Sequence, residues 1–307
     1  MSLLSLRNII ANNQDASAAG RNLFGVFLIV LSLTIIPFGD GIAKLLGEQG
    51  YPAIQITWAR YSVHLFITFF LVLKFSGRKG LVPNNLPIQL VRCVLVVFAT
   101  VCFFTSLQFL PLADAIAIVF IAPLVMTILS GPLLGERVGI WRWSSVVVGF
   151  VGVLIIIRPG GDSFIWESLW ALVAAIGFGL YVVLTRKASG QNTPLVSLFF
   201  MGFIGAIILS FIVPFQWVPP KSEDWMLFLT VGLCATLGHG LLIWATDFIE
   251  ASIIAPLHYV EIIGAVIIGY WLFGDLPDFY TIVGCGIVVV AGLVIIYRER
   301  RGQQSKP

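Results

Sequence analysis

Charge is what this sequence has least of. Only 11% of its 307 residues are charged, against about 25% in a soluble domain, and 59% are hydrophobic. A soluble fold of this length has no means of covering so much apolar surface, so the chain reads as a polytopic membrane protein. Cysteine is scarce as well. Cys93, Cys102, Cys234 and Cys285 form no C-x-x-C pair, which removes a thiolate metal site and a disulfide framework. All four fall in apolar runs and read as small buried residues at helix contacts. Catalytic signatures are missing. No G-x-x-x-x-G-K-[ST] loop is present, which excludes ATP drive within this chain. No H-E-x-x-H, no G-x-S-x-G and no pair of acids outside the apolar runs offers an enzyme a catalytic residue. No cofactor-binding or metal-ligand spacing is visible. Lys and Arg are dispersed between apolar runs rather than gathered on one patch, so nucleic acid has no footprint.

What is present is a run of apolar segments long enough to span a bilayer, which needs about 20 residues each. Cutting at Gly, Pro and charge clusters gives ten: Leu23–Leu46, Ala53–Leu73, Ile88–Leu110, Ala113–Leu134, Trp141–Ile157, Ser168–Leu184, Leu195–Phe215, Trp225–Phe248, Ala251–Phe273 and Phe279–Tyr297. Only Leu110-Pro111 separates the third from the fourth, where Pro suits the first turn of a new helix. Residues 1–22, with Arg7, Asp15 and Arg21, are expected to be a short cytosolic tail leading into an uncleaved first helix. Trp141, Trp143, Trp166 and Trp225 fall near segment ends, where an interfacial aromatic belt is the default.

The second half repeats the first. Leu134-Gly135-Glu136 closes one apolar run and Phe273-Gly274-Asp275 another, about 139 residues later. Their followers end Gly152–Arg158 and Gly292–Arg298. A duplicated apolar unit marks transporters whose halves share a site. The units are expected at 23–158 and 164–297, with a basic tail at 298–307. Five spans is an odd number, so the second copy must enter the membrane inverted.

The charges agree. With the N-terminus in the cytosol, the inner loops hold Lys74, Arg78, Lys79, Arg92, Arg137, Arg142, Arg186 and Lys187, and the outer loops hold only Arg158 and Lys221. Arg298, Arg300, Arg301 and Lys306 place the C-terminus inside as well. Where the duplicated turn faces out it carries Asp275 and Asp278 in place of Arg137 and Arg142.

The residues Leu112-Ala113-Asp114-Ala115-Ile116, Ala122-Pro123-Leu124, Leu134-Gly135-Glu136-Arg137, Trp143, Gly149-Phe150-Val151-Gly152 and Arg158-Pro159 resemble an EamA-type repeat of the drug/metabolite transporter superfamily, in two copies over nearly the whole chain. The resemblance implies an all-α fold of ten transmembrane helices in two inverted five-helix repeats, in the plasma (inner) membrane. The first four helices of each repeat would line a central cavity. The fifth and tenth would lie at the periphery, where the family often makes dimer contacts. It implies movement of a small polar metabolite (amino acid, organic anion, or nucleotide-like or vitamin-like compound) without ATP, by alternating access, with a proton or counter-substrate as coupling partner. The second copy departs from the family pattern at Glu261-Ile262, where a Glu-Pro step is common.

An ionisable group at mid-bilayer costs about 2.5–3.5 kcal/mol on insertion scales, so those that persist mark water or a partner. The candidates for substrate binding or gating are Asp40, Lys44, Arg60, His64, His239, His258, Tyr259 and Glu261. Asp40 and Lys44, four apart, are either a local ion pair or a gate. Pro37, Gly39 and Gly41 predict a kinked or loosened first helix there. Arg60 is either paired with Asp40 or an anchor for carboxylate or phosphate; His64 shares its face. Glu261 and His258 share a face, and Glu261 is either a hydrogen-bonding group or a proton carrier. Tyr259 is packing or ligand contact. His239, between two glycines, is a satisfied imidazole at a helix crossing or a cavity group. Gly149, Gly152, Gly284 and Gly286 predict close helix packing, within the chain or between protomers. The competing function is a non-transporting scaffold or assembly subunit, to which buried charges would contribute little.

Overall fold

The computed structural model describes residues 18–135, 140–158, 165–188, 190–245, 248 and 260–304, and among them all regular structure is helical. Seven helices are long and apolar enough to cross a membrane, and three shorter apolar helices, Val146–Ile157, Glu261–Phe273 and Phe279–Ala291, complete a set of ten spans. In chain order the spans lie in helices Ala18–Glu48, Ala53–Phe75, Leu86–Leu107, Leu112–Val119 with Ala122–Leu134, Ile140–Ile157, Ser168–Lys187, Pro194–Ile212, Trp225–Ala245, Val260–Phe273 and Phe279–Gln304. Apolar side chains such as Phe66, Phe98, Phe211 and Ile267 stand exposed around the bundle, as a lipid-facing surface requires.

The pairing of spans shows the duplication directly. The first span packs on the eighth and the third on the sixth. The second packs on the seventh and the fifth on the tenth. Replacing each helix by its partner five places along returns these four pairings. The duplicated Gly-acid step has one physical cause in both copies. Gly135 closes its helix with φ 71° and donates to Gly131 O at 2.9 Å. Gly274 does the same with φ 72°, donating to Tyr270 O at 2.9 Å. Both are left-handed caps, a conformation costly for a residue with a Cβ.

One expectation needs correction and two gain detail. The first helix stays helical through Pro37 from Ala18 to Glu48. Its glycines serve contact as well. A Cβ on Gly39 would fall 2.7 Å from Cys234 Cβ, and one on Gly41 would fall 2.7 Å from Ile268 Cγ2. The interruption lies in the fourth span, between Val119 and Ala122, where a proline occupies the first turn of the second piece. Secondly, Arg92 is no loop charge. It sits inside the third span and is 2% exposed. Thirdly, the glycine contacts of the fifth and tenth spans are made within one chain. A Cβ on Gly152 would lie 2.8 Å from Gly284 O, and one on Gly284 would lie 2.5 Å from Gly152 O. Gly149 is filled by Leu124, whereas Gly286 faces open space.

Two rims close the bundle. The basic rim carries Lys74, Arg78, Lys79, Arg186 and Lys187, and is tied by Asn84, whose amide donates to Gln191 O at 2.7 Å. The acidic rim carries Glu48, Glu223, Asp224, Asp275 and Asp278 against Lys221 and Arg158. There Tyr51 donates to Asp224 at 2.5 Å, and Gln55 exchanges hydrogen bonds of 2.8 and 2.9 Å with Val218. Burial, together with the neighbouring Asp224 carboxylate, holds the Tyr51 phenol above its usual range.

Candidate functional site

Asp40 comes from the last third of the first helix and Arg60 from the first third of the second. Both point into the seam between repeats. The Arg60 guanidinium lies 3.6 Å from Asp40 Oδ1, with side-chain exposures of 13% and 8%. That separation gives Coulomb attraction without a hydrogen bond. The other described contact of the guanidinium is stacking on Phe104, 5.4 Å from the ring centroid. Glu261, in the first described turn of the ninth span, lies near enough for its carboxylate to repel that of Asp40. Arg60 and Glu261 thus flank Asp40, where the second and ninth spans each pack on the first. The cation is held loosely.

The two described histidines make their hydrogen bonds to backbone carbonyls rather than to this centre. His64 is 1% exposed, and its Nε2 lies 3.1 Å from Leu198 O on the seventh span. A Cβ on Gly202 would fall 2.7 Å from its ring. It is a packed, satisfied group. His239 Nδ1 lies 2.9 Å from Ala235 O, one turn back on its own helix, and the ring is half-buried. His258 and Tyr259 lie outside the described residues. No group of three or more His, Cys, Asp or Glu side chains among the described residues is arranged to hold a metal ion.

Lys44 does not pair with Asp40. Its ammonium reaches 231 positions along the chain to Asp275 Oδ2 at 2.8 Å. Glu48 lies 3.7 Å away on the same helix, and the Phe273 ring centroid 4.3 Å away. Beside this pair a cavity of about 480 Å³ opens at the acidic rim, lined also by Gln108, Phe109 and Pro111. Next to it, Arg158 pairs with Asp278 at 2.7 Å across the fifth and tenth spans. Burial pushes the Asp278 carboxyl up, but hydrogen bonds from Thr281 and Arg158 outweigh it and hold the group below the usual carboxylate range.

A second buried arginine escaped the sequence reading as a site. Arg92 Nε donates to Gln89 Oε1 at 2.6 Å. Its two terminal nitrogens donate to Thr185 Oγ1 and Ser197 O, each at 3.1 Å. Tyr181 stacks 5.8 Å from it. The signal was available: Gln89 and Arg92 stand three apart on one helix face.

Comparison with known proteins agrees with this architecture. The family model described as "EamA-like transporter family" matches residues 23–158 and 165–298. The S-adenosylmethionine uptake transporter of Rickettsia prowazekii is 27% identical over 92% of this chain and 96% of its own length. The pseudopaline exporter of Pseudomonas aeruginosa is 26% identical over 91% and 97%. The riboflavin transporter of Vibrio cholerae is 25% identical over 83% and 86%. A solved crystal structure superposes with a TM-score of 0.63 at 17% identity, covering 92% of this chain and 98% of the other, a likeness of fold.

Proposed function

Since the chain belongs to the EamA-like transporter family, a group of membrane transporters of small metabolites rather than enzymes, we propose that its substrate carries an amino-acid head group, as S-adenosylmethionine does, and that it crosses by alternating access at the Asp40–Arg60–Glu261 centre. One observation carries this reading: a guanidinium held at 3.6 Å by one carboxylate, without a hydrogen bond, in a seam between repeats. Arg60 has donors to spare for a substrate carboxylate, which it binds bidentately. Asp40 and Glu261 then face the substrate's cationic groups. One cation against two carboxylates favours a ligand with more positive charge than negative, and S-adenosylmethionine, with an ammonium, a sulfonium and one carboxylate, meets that condition.

Glu261 is the proposed proton carrier if uptake is proton-coupled; exchange for a second metabolite is the alternative energy source. The scheme puts both termini in the cytosol, a reading that the basic rim supports. His64 and His239 act as packing groups in this scheme.

The test is uptake of labelled S-adenosylmethionine into proteoliposomes, with riboflavin and a set of amino acids in parallel. The proposal expects uptake of an aminocarboxylate, inhibited by other aminocarboxylates and lost in Arg60→Ala. Uptake of riboflavin alone, or undiminished uptake in the variant, would sink it.

A further inference from the structure

In the cavity at the acidic rim the best cation position is already filled by a protein ammonium at hydrogen-bond distance. The Lys44 ammonium occupies a nest made by Asp275 at 2.8 Å, Glu48 at 3.7 Å and the face of Phe273 at 4.3 Å. Carboxylates and an aromatic face are what an organic ammonium seeks. Lys44 is itself only 6% exposed, while the cavity beside it holds about 480 Å³, room for a metabolite head group. The Lys44–Asp275 pair is also a bond between repeats. It ties the first span to the turn after the ninth, and any motion that opens this end must part it.

We propose that this cavity is an entry subsite for an amino-acid-type head group, whose ammonium displaces that of Lys44 from Asp275 and Phe273 and so releases the first span from the second repeat. The inference rests on the transporter reading above and adds a second, peripheral place to it. The exchange is like for like. One ammonium replaces another in the nest, and the freed Lys44 meets the ligand's carboxylate. The local charge stays balanced throughout, so opening does not strand a buried ion. A ligand bearing only a carboxylate has nothing to offer Asp275 and leaves the pair closed.

Phe109 lines the cavity and is 54% exposed, so a cysteine there reports occupancy. The experiment measures maleimide labelling of Phe109→Cys in the purified full-length protein. Cys285 is replaced by serine, since Cys93, Cys102 and Cys234 are buried. The probes are leucine, its decarboxylated form isoamylamine, and its deaminated form 4-methylpentanoate. Leucine and isoamylamine should slow labelling and 4-methylpentanoate should not. Lys44→Gln, which removes the internal competitor, should make isoamylamine protect at lower concentration. Asp275→Asn should raise the concentration needed by about tenfold or more. Opposite signs from the two halves of one ion pair separate a binding nest from a mere structural tie, which would suffer alike from both.

Equal protection by amine and acid, same-direction effects of Lys44→Gln and Asp275→Asn, or no protection by any probe at millimolar concentration would each overturn the subsite. Isoamylamine protection should survive Arg60→Ala; its loss there would also overturn an independent rim site, leaving the central proposal standing. Protection at the rim with no uptake of any aminocarboxylate would overturn the central proposal alone.

Discussion

Arg60 and Arg92 both lie inside membrane-spanning helices, away from their ends, and they are held in opposite ways. Arg92 spends its donors on three fixed neutral acceptors at 2.6–3.1 Å, between the third, sixth and seventh spans. Arg60 meets its described counter-charge at 3.6 Å and stacks on a ring. A guanidinium with a hydrogen bond at each of its three nitrogens has less left to give a ligand, and removing it leaves buried acceptors without donors. A guanidinium held only by charge can trade its partner for another carboxylate at small cost. A similar place inside the bundle thus conceals different work: Arg92 fastens neighbouring helices, and Arg60 offers a site.

The sharpest way to break the comparison is to truncate both. Arg60→Ala is expected to abolish uptake in proteoliposomes while the purified protein keeps its thermal unfolding temperature within a few degrees. Arg92→Leu should do the reverse: it strands Gln89 and Thr185, at about 1–3 kcal/mol for a buried group left unsatisfied. That variant should unfold at clearly lower temperature yet retain uptake per folded molecule. Arg92→Lys should recover little of the loss, because a point charge cannot serve three acceptors in a fork. If uptake collapses in Arg92→Leu protein that is still folded, the division of labour is wrong.

Smaller effects sharpen the structural side. Gly284→Leu places a side chain where even a Cβ lies 2.5 Å from Gly152 O. The fifth and tenth spans must separate, at about 1–3 kcal/mol by the usual penalty for overpacking, seen as a lower unfolding temperature. Gly286→Leu, which meets open space, should be near neutral. Smallest is a pH effect at Asp278. Its carboxyl is held below the usual range when folded, so its stabilising contribution is present above the unfolded carboxylate pKa, about 3.9, and is lost as pH falls through the folded value. Asp278→Asn should flatten that acid limb of the thermal stability profile and leave neutral pH little changed, as expected for a half-exposed pair.

The sequence exposed the duplication and the number of spans because both are written in local pattern. Apolar length, punctuation by Gly and Pro, and a Gly-acid step recurring in register all survive without coordinates. Asp40 and Arg60 were legible as partners because adjacent antiparallel helices with a short turn bring residues of similar depth together. Lys44 was not. Its nearest acids in sequence are Asp40 and Glu48, and nothing local reveals that the turn at Asp275 folds back to meet it. Arg92 was misread for the same reason positive charges usually place loops: a lone arginine near a span end counts as a rim residue until its neighbours are known. The glycines signalled close packing correctly, but whether the partner helix belonged to the same chain depended on the inter-repeat pairing, which no single-helix pattern contains. The break in the fourth span, just before Pro123, was not read, since a proline ends one helix and suits the first turn of the next alike, whereas Pro37 lies inside a helix that continues past it.

The central claim is that Arg60, with Asp40 and Glu261, binds the substrate. Thermal unfolding of the purified protein against a metabolite panel, with Arg60→Ala alongside, tests it most directly, since a ligand that binds only the folded state raises its apparent stability. The account predicts a rise with aminocarboxylates, S-adenosylmethionine among them, that disappears in the variant. An equal rise in Arg60→Ala would contradict it.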